Sequence, residues 1–99
     1  MTPEQLQRVE AGVLQRLLQH LDHNKDVQNI DLMIVADFCR NCLSKWYLAE
    51  AQSIGVAMDY EQAREAVYGM PYSEWQAKHQ TPATAAQMAA FAARQQGGE

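Results

Sequence analysis

Two cysteines are all the chain has, Cys39 and Cys42, and they stand three residues apart. So close a pair cannot tie distant segments together, which excludes a disulfide scaffold. Long hydrophobic runs are missing as well. The run from Leu32 to Ala36 stops far short of the ~18 apolar residues that a membrane span needs. Basic residues are few, eight against twelve acidic ones for a formal net charge of −4, and they are scattered from Arg8 to Arg94. No basic stripe is left to follow a phosphate backbone, so a nucleic-acid partner is not expected. The opening Met1-Thr2-Pro3-Glu4-Gln5 lacks the basic start and apolar stretch of a secretory signal, which predicts a cytoplasmic protein. Alternating apolar and polar segments are absent too, so nothing argues for a strand.

What remains is helical. The 99 residues suit one domain over 1–99, and 47% apolar with 20% charged composition predicts that it folds. Thr2-Pro3-Glu4-Gln5 reads as a helix start, with a capping hydroxyl, proline in the first turn and Gln5 closing a capping box. Leu6, Val9, Val13, Leu17 and Leu21 then recur at helical spacing, with Leu14 and Leu18 widening the stripe, until the chain turns polar at His23-Asn24. Asp26 or Asn29 is expected to cap a second, long helix reaching Ile54, with Gly55 ending it. Ile30, Met33, Ile34, Phe38, Cys39, Leu43 and Trp46 cover so much of its circumference that it is predicted to be central. Asp59 to Tyr68 reads as a third helix stopped by Gly69, and Tyr72 to His79 as a fourth started by Pro71. Thr81-Pro82 repeats the cap-plus-proline start, Thr84 to Gln96 is alanine-rich with strong helix propensity, and the tail from Gln96 is expected to fray. The fold class is all-α: a small irregular array of four to five helices around a long central one.

Three blocks carry a resemblance: Asp26-Val27-Gln28-Asn29-Ile30-Asp31, then Phe38-Cys39-Arg40-Asn41-Cys42-Leu43-Ser44-Lys45-Trp46-Tyr47, then Tyr68-Gly69-Met70-Pro71-Tyr72-Ser73-Glu74-Trp75, closing with Lys78-His79-Gln80. In order and over residues 17–80, they resemble the short bacterial proteins grouped as domain-of-unknown-function family 1244. The resemblance implies an all-helical bacterial domain and brings no catalytic residues with it. Gln76 departs from the family pattern, where lysine is expected, and His23 lies outside the blocks.

Several constellations could carry chemistry. Cys39 and Cys42 form a Cys-x-x-Cys, the spacing of a redox couple or half a zinc site. Inside a long helix, however, they fall on the stripe Val35, Cys39, Cys42, Trp46 and read as small core hydrophobes. Zinc would need further ligands. His20 and His23 are too far along the hairpin, which leaves His79 as the candidate third ligand. No cofactor is predicted, with zinc possible only under this alternative. Tyr72, Trp75 and His79 share one face of the fourth helix, where Trp46 and Tyr47 could join them as core or as a pocket lining. Asp37, Asn41 and Lys45 follow each other at four-residue spacing beside Arg40 and Ser44. That face is either solvated, with Asp37 paired to Arg40 or Asn41, or an anion or peptide site. Arg40, Asn41, Tyr72 and Trp75 are therefore the candidate binding residues.

No Ser-His-Asp order or glycine-rich phosphate loop occurs, so the sequence leans away from an enzyme. The first reading is an interaction or regulatory module that binds another protein or itself. The alternative is a metal-binding or thiol-dependent protein centred on Cys39 and Cys42. Homodimerisation is expected through apolar surface that includes Met88 and Phe91 on the last helix.

Overall fold

The computed structural model describes residues 1–97, and side chains as far as Gln95; the expected tail lies partly outside it, at Gly98 and Glu99. Six helices follow one another: α1 (Pro3–Asp22), α2 (Asn29–Ala36), α3 (Arg40–Ser53), α4 (Tyr60–Tyr68), α5 (Tyr72–His79) and α6 (Ala85–Gly97). Most ends obey local chemistry. The Thr2 hydroxyl accepts the Gln5 N–H at 3.1 Å while Gln5 Oε1 accepts the Thr2 N–H at 2.9 Å, satisfying two of the donors that a helix start leaves open. Asp59 and Gln62 make the same reciprocal pair at the start of α4. Gly69 ends α4 at φ 76°, a left-handed turn that costs glycine little. The last helix starts later than the sequence suggests. Thr84, not Thr81, exchanges capping bonds with Gln87, and the helix runs from Ala85 to Gly97.

The long central helix does not exist. It is broken between Ala36 and Arg40, where Asp37 adopts a left-handed conformation (φ 58°, ψ 31°) and its N–H returns to the Met33 carbonyl at 3.0 Å. Aspartate tolerates this region better than most residues, and one such residue is enough to close a helix. Phe38 follows, and Cys39, in extended conformation (φ −147°, ψ −177°), caps a fresh start at Arg40. The array is accordingly two short helices, α2 and α3, set among four others.

Packing divides the labour between them. α3 lies most extensively on α4, and small residues fully buried on each, Ser44 and Ala63, suit a close approach. α2 instead carries α6, fastened by Gln87 Nε2 donating to Asp31 Oδ1 at 2.8 Å. Leu21, Leu43, Val67, Tyr68 and Trp75 form the core, with Leu18, Leu32, Phe38, Tyr47, Met70 and Tyr72 packed around it. α1 reaches this core only through its C-terminal part and leans on α4. The radius of gyration is 15.3 Å, well above the ~12.6 Å of a compact chain of this length.

Asp37→Ala separates the two readings of this region. In a continuous helix alanine would stabilise the chain; at a left-handed junction it should destabilise it by on the order of 1 kcal/mol, whereas Asp37→Gly is tolerated. Urea unfolding midpoints of the three proteins measure the difference.

Candidate functional site

Arg40 stands at the first position of α3 and is only 2% exposed. Its Nη1 donates to the Val27 carbonyl at 2.7 Å and to Asn29 Oδ1 at 3.2 Å. Nη2 donates to the carbonyls of Asn24 at 3.0 Å and Leu21 at 3.4 Å. The cation also sits 5.0 Å from the Trp75 ring centroid. Among the described residues no carboxylate forms an ion pair with it. Burial pulls its pKa below the usual arginine value, although an arginine so placed remains charged at any ordinary pH.

Beside it, Tyr68 donates its hydroxyl hydrogen to Asn41 Oδ1 at 2.7 Å and accepts from Asn29 Nδ2 at 3.0 Å. Asn29 Oδ1 takes the Arg40 side chain and, at 3.3 Å, its backbone N–H. Burial raises the Tyr68 pKa well above the ordinary phenol value, against the opposing pull of Asn29. Gln28 extends the network, donating to the His79 carbonyl at 2.9 Å and accepting the Thr81 N–H at 3.0 Å. Trp75 closes it, 1% exposed and edge-on to Tyr68 at 5.1 Å.

These contacts revise the candidate binding residues. Arg40 and Trp75 are buried and engaged with the protein's own groups. Asn41 and Tyr72 do line a polar pocket of about 240 Å³, together with Gln28, Asn29, Gln80 and Thr81. The supposed polar face is not a face. Asp37 belongs to the break, where its carboxylate meets Gln95 Nε2 at 3.5 Å rather than Arg40 or Asn41. Trp46 stacks on Phe38, ring centroids 6.3 Å apart.

The thiols move as well. Cys39 is not inside a long helix but the residue before one, and Cys42 is in the first turn of α3. Their sulfurs lie 3.9 Å apart, both as free thiols. His79 does not join them: its ring lies 5.7 Å from Trp75, and among the described residues no three His, Cys, Asp or Glu side chains converge as metal ligands.

A second concavity went unnoticed in the sequence. An apolar groove of about 460 Å³ runs between α1, α3 and α4, lined among others by Leu14, Leu43, Trp46, Ile54, Met58 and Val67. Beyond it Leu6, Val9, Val13 and Leu17, read from their spacing as a buried stripe, are exposed, Val13 by 61%. Periodicity marked the stripe but could not say whether this chain covers it. No helix among the described residues is long and apolar enough to cross a membrane.

The profile of a family described as a protein of unknown function (DUF1244) matches residues 27–93. The chain belongs to that family. No curated protein matches it. In this DUF1244 chain the matched span begins within the loop before α2, so it holds Gln28, Asn29, Arg40, Asn41, Tyr68 and Trp75 and leaves out α1. The sequence blocks that carried the resemblance thus supply the side chains of the buried polar network, while Leu21 and Asn24 lend carbonyls from outside them.

Removing the guanidinium tests that network. Arg40→Met should cost about 3–5 kcal/mol in urea unfolding, because three carbonyls and Asn29 lose their donor; Arg40→Lys should not restore it, lacking the fork. Tyr68→Phe should cost about 1–3 kcal/mol near neutral pH. Its pH dependence has a definite sign. A phenol whose folded pKa is raised contributes stability that is complete below the unfolded value of ~10 and is lost as pH rises beyond it. The wild type should therefore lose stability above that pH more steeply than Tyr68→Phe, as read from unfolding midpoints at alkaline pH.

Proposed function

We propose that the protein is a self-associating helical interaction module whose uncovered α1–α3 face is closed by a second copy of the chain. One observation carries this: an apolar face comprising Leu6, Val9, Val13, Leu17, Trp46, Ile54 and Val56 meets solvent, with Trp46 exposed by 57% and Ile54 by 78%. The surface has a size to match. A chain of 11.2 kDa exposes 6979 Å², against about 5,700 Å² for a compact monomer of that mass. The surplus, roughly 1,300 Å², exceeds the ~800 Å² that each partner hides in an interface of standard size.

The same chain carries both halves of a fit. The exposed ridge of α1 runs beside a groove that Leu14 helps to line, so the ridge of each copy can enter the groove of the other. Such reciprocal pairing closes with twofold symmetry and leaves no surface for a third copy. Charge does not oppose it locally, because Glu50 is the one charged residue among those lining the groove. Trp46 suits the role of anchor, since large aromatic residues at the centre of an interface contribute most of its affinity. The last helix has a smaller part than its sequence suggests: Phe91 is half-buried in a helix packed on α2, although Met88 stays exposed. The bacterial cytoplasm is the setting this reading assigns, following the resemblance.

Light scattering after size exclusion tests the proposal. Wild-type protein at tens of micromolar should return twice 11.2 kDa. Val13→Glu leaves the single chain undisturbed, being exposed there, yet should weaken pairing on the order of 100-fold by setting charge into an apolar contact. A wild-type mass of 11.2 kDa at that concentration overturns the proposal.

A further inference from the structure

We propose that Cys39 and Cys42 are a reversible dithiol–disulfide couple that exchanges with low-molecular-weight disulfides such as glutathione disulfide. The inference stands apart from self-association and would survive its failure. Three observations carry it. The sulfurs are 3.9 Å apart, so rotation of the side chains has less than ~2 Å to supply before they reach bonding distance. The two residues occupy the break and first turn that begin the 14-residue α3: Cys39 is extended and Cys42 helical. This is the setting in which Cys-x-x-Cys pairs undergo exchange, and it differs from a helix interior, where two thiols serve only as packing. Their exposure is also unequal, Cys39 being buried and Cys42 half-buried, which distinguishes an attacking from a resolving sulfur.

The reaction balances without a metal or a further oxidant. The Cys42 sulfur, on the less buried residue of the pair, attacks one sulfur of the disulfide RSSR as a thiolate. A mixed disulfide forms on Cys42 and one RS⁻ departs. Cys39 then gives up its proton and attacks the Cys42 sulfur, the protein disulfide forms, and the second RS⁻ leaves. Two protons, one from each cysteine, end on the two released thiols. The sum is dithiol plus RSSR giving disulfide plus two RSH. Burial raises the Cys39 pKa, so it is the thiol that waits for the mixed disulfide rather than the one that starts. A metal site would need a third ligand, and among the described residues none converges on the pair.

Trp46 supplies the readout. It lies one helical turn beyond Cys42, so closure of the disulfide should quench its fluorescence. Wild-type protein equilibrated natively with mixtures of reduced and oxidised glutathione should gain one intrachain disulfide, lose two hydrogens by intact mass, and quench in step. Raising reduced glutathione should reverse all three. Cys39→Ser should accumulate a glutathione adduct on Cys42 at least ~10-fold faster than Cys42→Ser accumulates one on Cys39, reflecting access to the attacking thiolate. A chain that stays dithiol until denatured, that gains only adducts, that joins two chains through sulfur, or that holds stoichiometric zinc overturns the couple. Equal or reversed adduct rates overturn the assigned order of attack. The wild-type measurements decide the couple even if a serine variant fails to fold.

Discussion

A guanidinium buried without a direct ion pair has to be stabilised largely by dipoles, and the place where Arg40 lies supplies them. The last carbonyls of a helix carry partial negative charge, and the oxygens of Leu21, Asn24 and Val27 belong to the end of α1 and the loop that leaves it. One side chain thereby holds the end of α1, the entry to α2 through Asn29 and the start of α3, of which Arg40 is itself the first residue. Trp75 lends its ring face and so ties α5 to the same point. The arrangement is costly to assemble and costlier to break, because each oxygen left without a donor would be buried with an unmet bond. It also determines where α1 starts its path away from the body. Held at its C-terminal end and resting on α4, the helix extends its first turns past any cover the chain provides.

Much of this was legible in the sequence, for local reasons. Thr2-Pro3-Glu4-Gln5, the Asp59 cap and the Gly69 stop each satisfy helix ends within a few residues, so composition at fixed offsets suffices to find them. The break at Asp37 was not legible. It lacks glycine and proline, and apolar residues run through it at helical spacing on both sides. That led the cysteines to be assigned to a helix interior and led Asp37, Asn41 and Lys45 to be drawn as one face. The network was hidden for a different reason. Asn29, Arg40 and Tyr68 are brought together by tertiary packing over separations of 11 to 39 residues, and no periodicity reports such a meeting.

The break has consequences on two levels. By turning the chain at Phe38 it starts a second helix whose first turn presents Cys42 and whose second presents Trp46, stacked on Phe38. Trp46 in turn lines the apolar groove. The thiol pair and the uncovered face are therefore neighbours along a single helix, and a contact that covers Trp46 would lie close to Cys42, the less buried of the two. Sequence periodicity placed Leu6, Val9, Val13 and Leu17 on one stripe of α1 but expected it to be buried, and within this chain it is exposed.

Amide hydrogen exchange along α1, measured at low and high protein concentration, tests the central claim most directly. If the end of the helix is anchored by Arg40 and its first turns are covered by a second copy, protection around Leu21 should be the same at both concentrations. Protection from Leu6 to Leu17 should be weak when dilute and rise as the protein is concentrated. Protection of the whole helix that does not change with concentration would contradict the account.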